Sequence, residues 1–435
     1  MIRTRMFLAA ALWYCTTAAA QPAPAEAPLA MATDALGKLQ RLLPPLPPIP
    51  PLSEAMNDGV RLKDLKSKEV SIELSASKMT DVYIESTSRP LEIKVWDQPK
   101  VKVVTTIYFE GDANKLSDEE WFEKLNISVK ATNGSVRIKS GTVGSGSYSF
   151  NGNNYAWSSA GADGIAIFNG EGDNIKTKSN VKRWITVYMP KDNKLDIENK
   201  YADITITANI NKLHLDITNG NVEMQDANTL LLRSKYSNVN MGNVKLAEVD
   251  FINGRFTAKD LQELDMDTKY STVEIATLKK ATLRSTNDEY EIEEVGQLQG
   301  RKNYGNLRIT KLTNSIELDG TNADVKVRNI APSVDVIKID NKYADLRLPL
   351  RNLKNYSINY IGPWSTVYGN FDKKPLKAEV KTTSVERSLS DDMRELKKVV
   401  VTIDKDNDSN FSASAGDGKG TKIDIKCQNC TVDFK

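Results

Sequence analysis

The sequence predicts an all-β fold: a right-handed, single-stranded β-solenoid, or β-helix, of about 17-residue rungs with short helical and loop insertions. Three observations lead to this prediction. A short phrase recurs at nearly constant spacing, apolar residues occupy fixed columns of the repeat, and tyrosine alternates with asparagine in one column. The right hand follows from the general preference of crossovers between parallel strands.

The recurring phrase is clearest between residues 194 and 350. It reads NKYADI at 199–204, SKYSNV at 234–239 and TKYSTV at 268–273, with spacings of 35 and 34 residues. Variants with asparagine in place of tyrosine lie between these copies, so the true unit is half as long.

Two columns define the unit. The phrase always ends on an apolar residue, and the residue three positions earlier is alternately tyrosine and asparagine. The apolar anchors are Ile204, Val222, Val239, Phe256, Val273, Tyr290, Leu307, Val325 and Leu346. The alternating residues are Tyr201, Asn219, Tyr236, Asn253, Tyr270, Asn287, Tyr304, Asn322 and Tyr343.

Each unit is expected to contain two short strands joined by a corner at the Tyr or Asn position. Apolar residues two apart lie on one face of a strand, and small or turn-forming residues follow the Tyr/Asn position, as a sharp bend requires. A single unit cannot bury its own apolar face, so stability must come from stacking on its neighbours.

Before the repeats, residues 1–20 resemble a signal peptide: a basic start, an apolar stretch and a small-residue cleavage site at 18–20. Cys15 falls inside this segment and is expected to be removed with it. Residues 21–66 are a proline-rich linker, in which PPLPPIPP at 44–51 is expected to form a polyproline II spacer. The mature protein is therefore expected in the periplasm, on the cell surface or secreted.

Residues 67–435 are assigned to the β-solenoid domain, with insertions at about 112–125, 140–180 and 371–421. The first insertion carries SDEE at 117–120, a capping box that predicts a short helix. The sequences at 127–138, 358–367 and 423–434 also fit the repeat, the second with Trp364 in the Tyr/Asn column.

Composition excludes several functions. The chain has 59 Lys and Arg against 57 Asp and Glu, a formal net charge of +2, and the two signs are interspersed. This balance does not suggest a nucleic-acid partner. After signal cleavage, no apolar stretch approaches the roughly 18 residues of a membrane-spanning helix.

Catalytic and metal-binding signals are weak. The single histidine, His214, is expected on the outer face, and no cofactor is expected. Cys427 and Cys430 are disulfide candidates because one Cys-x-x-Cys pair cannot supply four zinc ligands and an exported protein meets oxidising conditions. A calcium site is a weak alternative prediction at Asp404, Asp406 and Asp408, where the pattern lacks the glycine and glutamate of an EF-hand loop.

The tyrosine column is the candidate ligand-facing surface: Tyr201, Tyr236, Tyr270, Tyr304 and Tyr343. Its rings are expected about 9.6 Å apart, since an asparagine unit separates each pair. The column either presents a ribbon to a glycan or protein, or serves corner packing and hydrogen bonding alone.

The stretches WITVYMP at 184–190, LDI at 195–197 and YADITI at 201–206 resemble the adhesin family that carries the domain of unknown function DUF4097. The resemblance implies an exported bacterial β-solenoid and nominates no catalytic residues. Tandem corner glycines, frequent in the family, are largely replaced here by tyrosine and asparagine.

The functional prediction is a non-enzymatic adhesin-like binding or structural module of the cell envelope or surface. Its partner would be an unknown surface glycan or protein, or an envelope component. A polysaccharide-active β-helix enzyme and an envelope sensing scaffold are the alternatives.

Overall fold

The computed structural model describes residues 66–109, 116–141, 145–150, 153–158, 165–168, 174–178, 184–376 and 410–435. The chain divides into two compact units, 1–62 and 63–435, and the described residues belong to the second. The predicted signal peptide and nearly all of the predicted proline-rich linker therefore lie outside the described residues.

The described part of the chain is nearly all β, as predicted, with a helix α1 at Asp118–Lys124. All its strands except β7 and β8 belong to one continuous sheet. The strands are β1 Lys66–Ser75, β2 Asp81–Thr87, β3 Leu91–Trp96, β4 Lys100–Phe109, β5 Ile127–Thr132, β6 Ser135–Ser140, β7 Ser145–Phe150, β8 Asn153–Ser158, β9 Ile165–Phe168, β10 Asn174–Lys178, β11 Ile185–Pro190, β12 Lys194–Lys200, β13 Ile204–Ile206, β14 Ile210–Thr218, β15 Asn221–Met224, β16 Ala227–Met241, β17 Val244–Ile330, β18 Val336–Lys342, β19 Asp345–Arg347, β20 Tyr356–Ile361, β21 Thr366–Tyr368, β22 Lys374–Pro375, β23 Phe411–Ala415, β24 Thr421–Gln428 and β25 Thr431–Asp433.

Consecutive repeats pair in parallel and in register. Ile204 of β13 lies opposite Val222 of β15, which lies opposite Val239 of β16. Parallel pairing places equivalent side chains of neighbouring repeats beside one another. The anchor residues of neighbouring repeats therefore lie beside one another in the sheet.

The same pairing reaches into β17, which has 87 residues and contains several corners. Side chains 17 positions apart contact each other along it. Asn306 Nδ2 donates to Glu289 Oε2 at 2.7 Å, and Gln299 Nε2 donates to Thr282 Oγ1 at 3.1 Å. In this segment, residues that are neighbours across the sheet are therefore 17 positions apart in the sequence.

The core runs along the inner face of these strands. Every anchor residue is buried, and so is every apolar residue two positions after an anchor. Burying a side chain of this size contributes about 1.5–3 kcal/mol. Because each repeat supplies only a few such residues, stability accumulates repeat by repeat.

Antiparallel strands lie at both ends of the parallel region. Near the N-terminal end, β4 pairs antiparallel with β1 and with β11. Near the C-terminal end, β23 pairs antiparallel with β20 and with β22. Such strands cover edges that would otherwise offer unpaired backbone groups to another chain.

Helix α1 confirms the predicted capping box. The Ser117 hydroxyl accepts from the Glu120 amide, and the Glu120 carboxylate accepts from the Ser117 amide. Trp121 and Phe122 are fully buried, so the helix adds apolar bulk to the N-terminal end of the core.

One predicted repeat is wrong. The segment at 127–138 is an antiparallel hairpin of β5 and β6, and only β6 joins the parallel region, opposite β2. Its turn residues Asn133 and Gly134 both have positive φ, 34° and 78°. Positive φ at both residues suits a two-residue hairpin turn.

The C-terminal strands are out of chain order in the sheet. β24 pairs with β18 on one side and with β20 on the other, although both precede it in the sequence. β25 lies between β19 and β21 in the same way. The segment 421–433 is therefore inserted between the repeats at 336–347 and 356–368.

Candidate functional site: an exposed aromatic column

The corner column is defined by backbone conformation as well as by sequence. All five tyrosines have φ between 55° and 61°, and Trp364 has φ 54°. The alternating asparagines share this left-handed conformation, which asparagine tolerates better than most residues. Every repeat therefore bends at its Tyr, Trp or Asn.

Backbone hydrogen bonds fix the spatial order of the column. The amide of Ser88 donates to Lys200 O, and the amide of Tyr201 donates to Thr218 O. At the other end, the amide of Tyr343 donates to Gln428 O.

The amide of Asn429 then donates to Pro363 O, next to Trp364. In space the column therefore alternates a polar residue with an aromatic one throughout: Ser88, Tyr201, Asn219, Tyr236, Asn253, Tyr270, Asn287, Tyr304, Asn322, Tyr343, Asn429 and Trp364.

We call its six aromatic members the aromatic ladder: Tyr201, Tyr236, Tyr270, Tyr304, Tyr343 and Trp364. Their exposed fractions are 48–64%. Two sheet spacings separate successive members, about 9.6 Å. Five such intervals make a ladder about 48 Å long.

Holding these side chains at the corners has a conformational cost. A bulky residue in the left-handed region is a genuine outlier, and the conformation costs roughly 1–2 kcal/mol per residue. Glycine or asparagine would serve the bend more cheaply. Strained residues of this kind cluster where their side chains have a use.

A lysine column runs beside the ladder. The residue immediately before the aromatic side chain is lysine in four of the six positions: Lys200, Lys235, Lys269 and Lys342. All four are exposed. In the alternating repeats this position holds Thr87, Thr218, Ile252, Thr286, Thr321 and Gln428, none of them charged.

A polar column lies on the other side of the ladder, at the residue before each anchor. Its members bond along the stack: Asn221 Nδ2 donates to Asp203 Oδ1 at 3.0 Å, and Asn238 Nδ2 donates to Asn221 Oδ1 at 2.9 Å. Beside the aromatic residues the polar column consists of Asp203, Asn238, Thr272, Asn306, Asp345 and Thr366.

Buried polar side chains support the corners from inside. Asn199 Nδ2 donates to Ala202 O at 2.6 Å, and Asn341 Nδ2 donates to Ala323 O at 2.7 Å. These carbonyls point into the core, where an unpaired acceptor would cost about 1–3 kcal/mol. The corner conformation thus depends on a polar residue beneath it.

Asp288 organises the largest of these supports. Its carboxylate accepts from Thr268 Oγ1, Ser285 Oγ and the Ser271 amide at 2.7 Å each, and from the Thr286 amide at 2.9 Å. Four donors satisfy a buried carboxylate. Asp288 occupies a corner position where other repeats have glycine, alanine or serine.

Lys302 lies beside this group and is fully buried. Its Nζ donates to Asp288 O at 2.6 Å and to Tyr304 O at 3.2 Å, and it lies 5.2 Å from the centre of the Tyr290 ring. Burial lowers the pKa of Lys302 to about 8, against the attraction of Asp288 and Glu289. Burial also raises the pKa of Tyr290.

The remaining predicted site residues do not join the ladder. His214 is half-buried, with Nδ1 3.0 Å from Asp196 Oδ2 of the neighbouring repeat. A disulfide joins Cys427 and Cys430, whose Cα atoms are 5.7 Å apart, in the inserted segment 421–433.

The calcium candidates Asp404, Asp406 and Asp408 lie outside the described residues. Within the described ranges, no group of three His, Cys, Asp or Glu side chains is placed to hold a metal ion. No helix in the same part of the chain is long and apolar enough to cross a membrane.

Sequence reasoning missed Ser88, Lys302 and the lysine column. The lysines had a detectable signal, since Lys-Tyr recurs at 200–201, 235–236, 269–270 and 342–343. Lys302 had none, because lysine is almost never fully buried.

The fold and the ladder define a class: an all-β repeat protein with an exposed aromatic corner column. No protein-family model matches the chain, so membership of the DUF4097 family stays a prediction. No curated protein matches it either.

Three solved structures are similar to the chain. A putative lipid binding protein from Parabacteroides distasonis is 14% identical, with 63% of this chain and 94% of that chain covered and a TM-score of 0.30. A putative adhesin from the same organism is 11% identical, covering 64% and 96%, with a TM-score of 0.31. A putative cell adhesion protein from Clostridium sporogenes is 10% identical, covering 85% and 99%, with a TM-score of 0.15. At these TM-scores the similarities establish neither fold nor function.

Proposed function

We propose that the protein is an exported, non-enzymatic binding module of the cell envelope or cell surface. Its repeats form a right-handed β-solenoid that presents the aromatic ladder to an elongated ligand. Residues 1–20 direct export, and the proline-rich segment 21–66 tethers the solenoid.

The ladder is the observation that carries this proposal. Six aromatic side chains stay 48–64% exposed at corners whose conformation disfavours them. Such positions cost stability and enlarge the apolar surface, so packing alone does not account for them. Exposed aromatic side chains with polar neighbours are typical of binding surfaces.

The arrangement suits a long and repetitive ligand. Rigid strands set the spacing of the ladder, and a site built on strands is more precise than one built on loops. Each aromatic residue provides a small contact, and several equivalent contacts on one ligand add up to useful affinity.

Binding of the purified mature chain to whole cells and to isolated envelope fractions tests the proposal. The expected result is saturable retention on at least one fraction. Heat-unfolded protein at equal concentration is the control. A chain that is retained by no cell or envelope component at micromolar concentration would refute the proposed function.

A further inference from the structure

We propose that the aromatic ladder binds an extended β-1,4-linked polysaccharide laid along the stack, whose repeating disaccharide carries one carboxylate. This inference rests on the proposed binding function and adds the chemistry of the ligand. Three features carry it: the spacing of the ladder, the lysine column and the polar column.

The spacing matches the repeat of such a polymer. Successive ladder residues lie about 9.6 Å apart along the stack, close to the length of one disaccharide in an extended β-1,4-linked chain. Each pyranose in that chain is turned about half a turn from its neighbour, so the same sugar face recurs once per disaccharide. One aromatic residue would then meet the same apolar face in every disaccharide.

The lysine column repeats with the same period as the ladder. Lys200, Lys235, Lys269 and Lys342 adjoin aromatic members, and the intervening repeats have no charge at this position. Lys200 Nζ lies 2.8 Å from Glu198 Oε1, and all four lysines are exposed. Four of the six ladder members thus have a cation beside them, which is complementary to a ligand with one carboxylate per disaccharide.

The polar column completes the match to a sugar. Carboxylate, amide and hydroxyl groups follow each ladder residue by two positions, as in Asp203, Asn238 and Thr272. They offer acceptors and donors next to an aromatic surface, the combination that orients a ligand with hydroxyl groups at its edge and C–H groups on its face.

A proline-rich peptide is the competing occupant. A polyproline II helix repeats every three residues, roughly 9.3 Å, and aromatic surfaces bind such peptides. The lysine column favours the polysaccharide, because a segment such as LPPLPPIPPL at 43–52 carries no charge.

The test uses the full mature chain and two sets of oligosaccharides of equal length and linkage. Peptide-free glycan strands of alternating N-acetylglucosamine and N-acetylmuramic acid carry one carboxylate per disaccharide, and chitin oligomers carry none. Calorimetry should show affinity for the glycan strands that increases with each added disaccharide up to six and decreases as salt is raised. Chitin oligomers should bind more weakly.

Tyr236→Asn together with Tyr270→Asn removes two adjacent ladder members and installs the residue that the alternating repeats use. Affinity for strands of three or more disaccharides should fall by at least about tenfold. The melting temperature should stay the same or rise, because asparagine tolerates the left-handed region. A purely structural role for the tyrosines would instead lower the melting temperature.

Lys235→Gln together with Lys269→Gln tests the charge. This pair should weaken binding of the glycan strands and leave chitin binding unchanged. The matched control is Lys245→Gln with Lys279→Gln, which removes two exposed lysines that lie outside the lysine column and line a separate surface groove. The control should bind like the unaltered chain.

Three results would overturn the inference. They are equal affinity for chitin and the carboxylated strands, unchanged binding in the double tyrosine variant, and binding of the peptide LPPLPPIPPL at the ladder with no polysaccharide bound. A chain that binds cells without using its tyrosines would refute this inference and leave the proposed function standing. A chain that binds no envelope component would refute both.

Discussion

At the scale of single residues, each corner displays one side chain to solvent, and several corners also need a buried polar side chain beneath the backbone. The residue at each corner is aromatic, asparagine or, at Ser88, serine, and in several repeats a buried side chain donates a hydrogen bond to the backbone beneath it. At such a corner, a buried polar side chain stabilises the bend, and the bend exposes the side chain on the outside. Changes on the two sides should have different effects.

Lys302→Met should change how stability depends on pH. Folded Lys302 has a pKa of about 8 against an ordinary value of 10.5. Between these pH values the unfolded state binds more protons, so the free energy of unfolding should rise with pH, and below about pH 8 the full penalty of the buried charge applies. The methionine variant should lack this rise.

Urea unfolding at intervals from pH 7 to pH 10.5 measures the effect. The quantity to compare is the slope against pH, since the variant also loses hydrogen bonds and shifts the whole curve. Parallel curves would show that Lys302 keeps an ordinary pKa in the folded protein.

Asp288→Ala should be strongly destabilising. It would leave the buried donors of Thr268, Ser271 and Ser285 without their carboxylate, and it would remove a charge that favours protonated Lys302. Breaking such a group costs about 3–5 kcal/mol. Thermal unfolding measures the loss, and Asp319→Ala, an exposed acid of the same strand, should change the midpoint little.

At the scale of the element, the close stacking of repeats leaves no room for a side chain at certain corners. A Cβ on Gly254 would lie 1.8 Å from Ser237 O of the neighbouring repeat, and its φ is +157°. Glycine is required there by both contact and conformation.

Gly254→Ala should therefore destabilise the protein by about 1–3 kcal/mol or more, since neighbouring strands must separate. Hydrogen exchange should show the loss at residues 234–258 first. The control is Ala202→Gly at the equivalent corner, which should cost no more than about 1 kcal/mol. An unaffected Gly254→Ala chain would mean that the repeats are more loosely stacked than described.

The repeat itself was predictable from local sequence, since Ile204, Val222 and Val239 recur with the period that the sheet imposes. The hairpin at Asn133 and Gly134 was not, because the same apolar alternation suits parallel and antiparallel pairing. The Asn-Gly pair does not distinguish the cases, since it recurs at the corners 219–220 and 253–254. Tyr304 and Gly305 also have two positive φ values at a corner between parallel strands.

At the scale of the whole molecule, the site depends on strand pairings that do not follow the order of the strands along the chain. Trp364 fits the column by its pattern, but its place above Asn429 follows from pairing between segments 421–433 and 356–368. Nothing in a linear repeat indicates that a later segment enters between two earlier ones. The column was therefore predictable, Trp364 included, but the even spacing from Tyr343 through Asn429 to Trp364 became evident only in three dimensions.

The disulfide should act locally on the inserted segment. Replacing Cys427 and Cys430 by serine removes a cross-link that closes a very short loop, which chain-entropy arguments value at about 2 kcal/mol. Amide exchange should increase in residues 421–433 and remain unchanged in residues 227–300. Faster exchange throughout the chain would show that the cross-link supports the whole stack.

The inserted segment also constrains the order in which the molecule is built. Within the described residues, the parallel partners of the repeat at 356–368 all lie in the later segment 421–433. In a growing chain, residues 356–368 are therefore synthesised before the strands β24 and β25 with which they pair. A chain interrupted between the two segments would leave β18 and β20 without β24, exposing backbone groups that can pair with another chain.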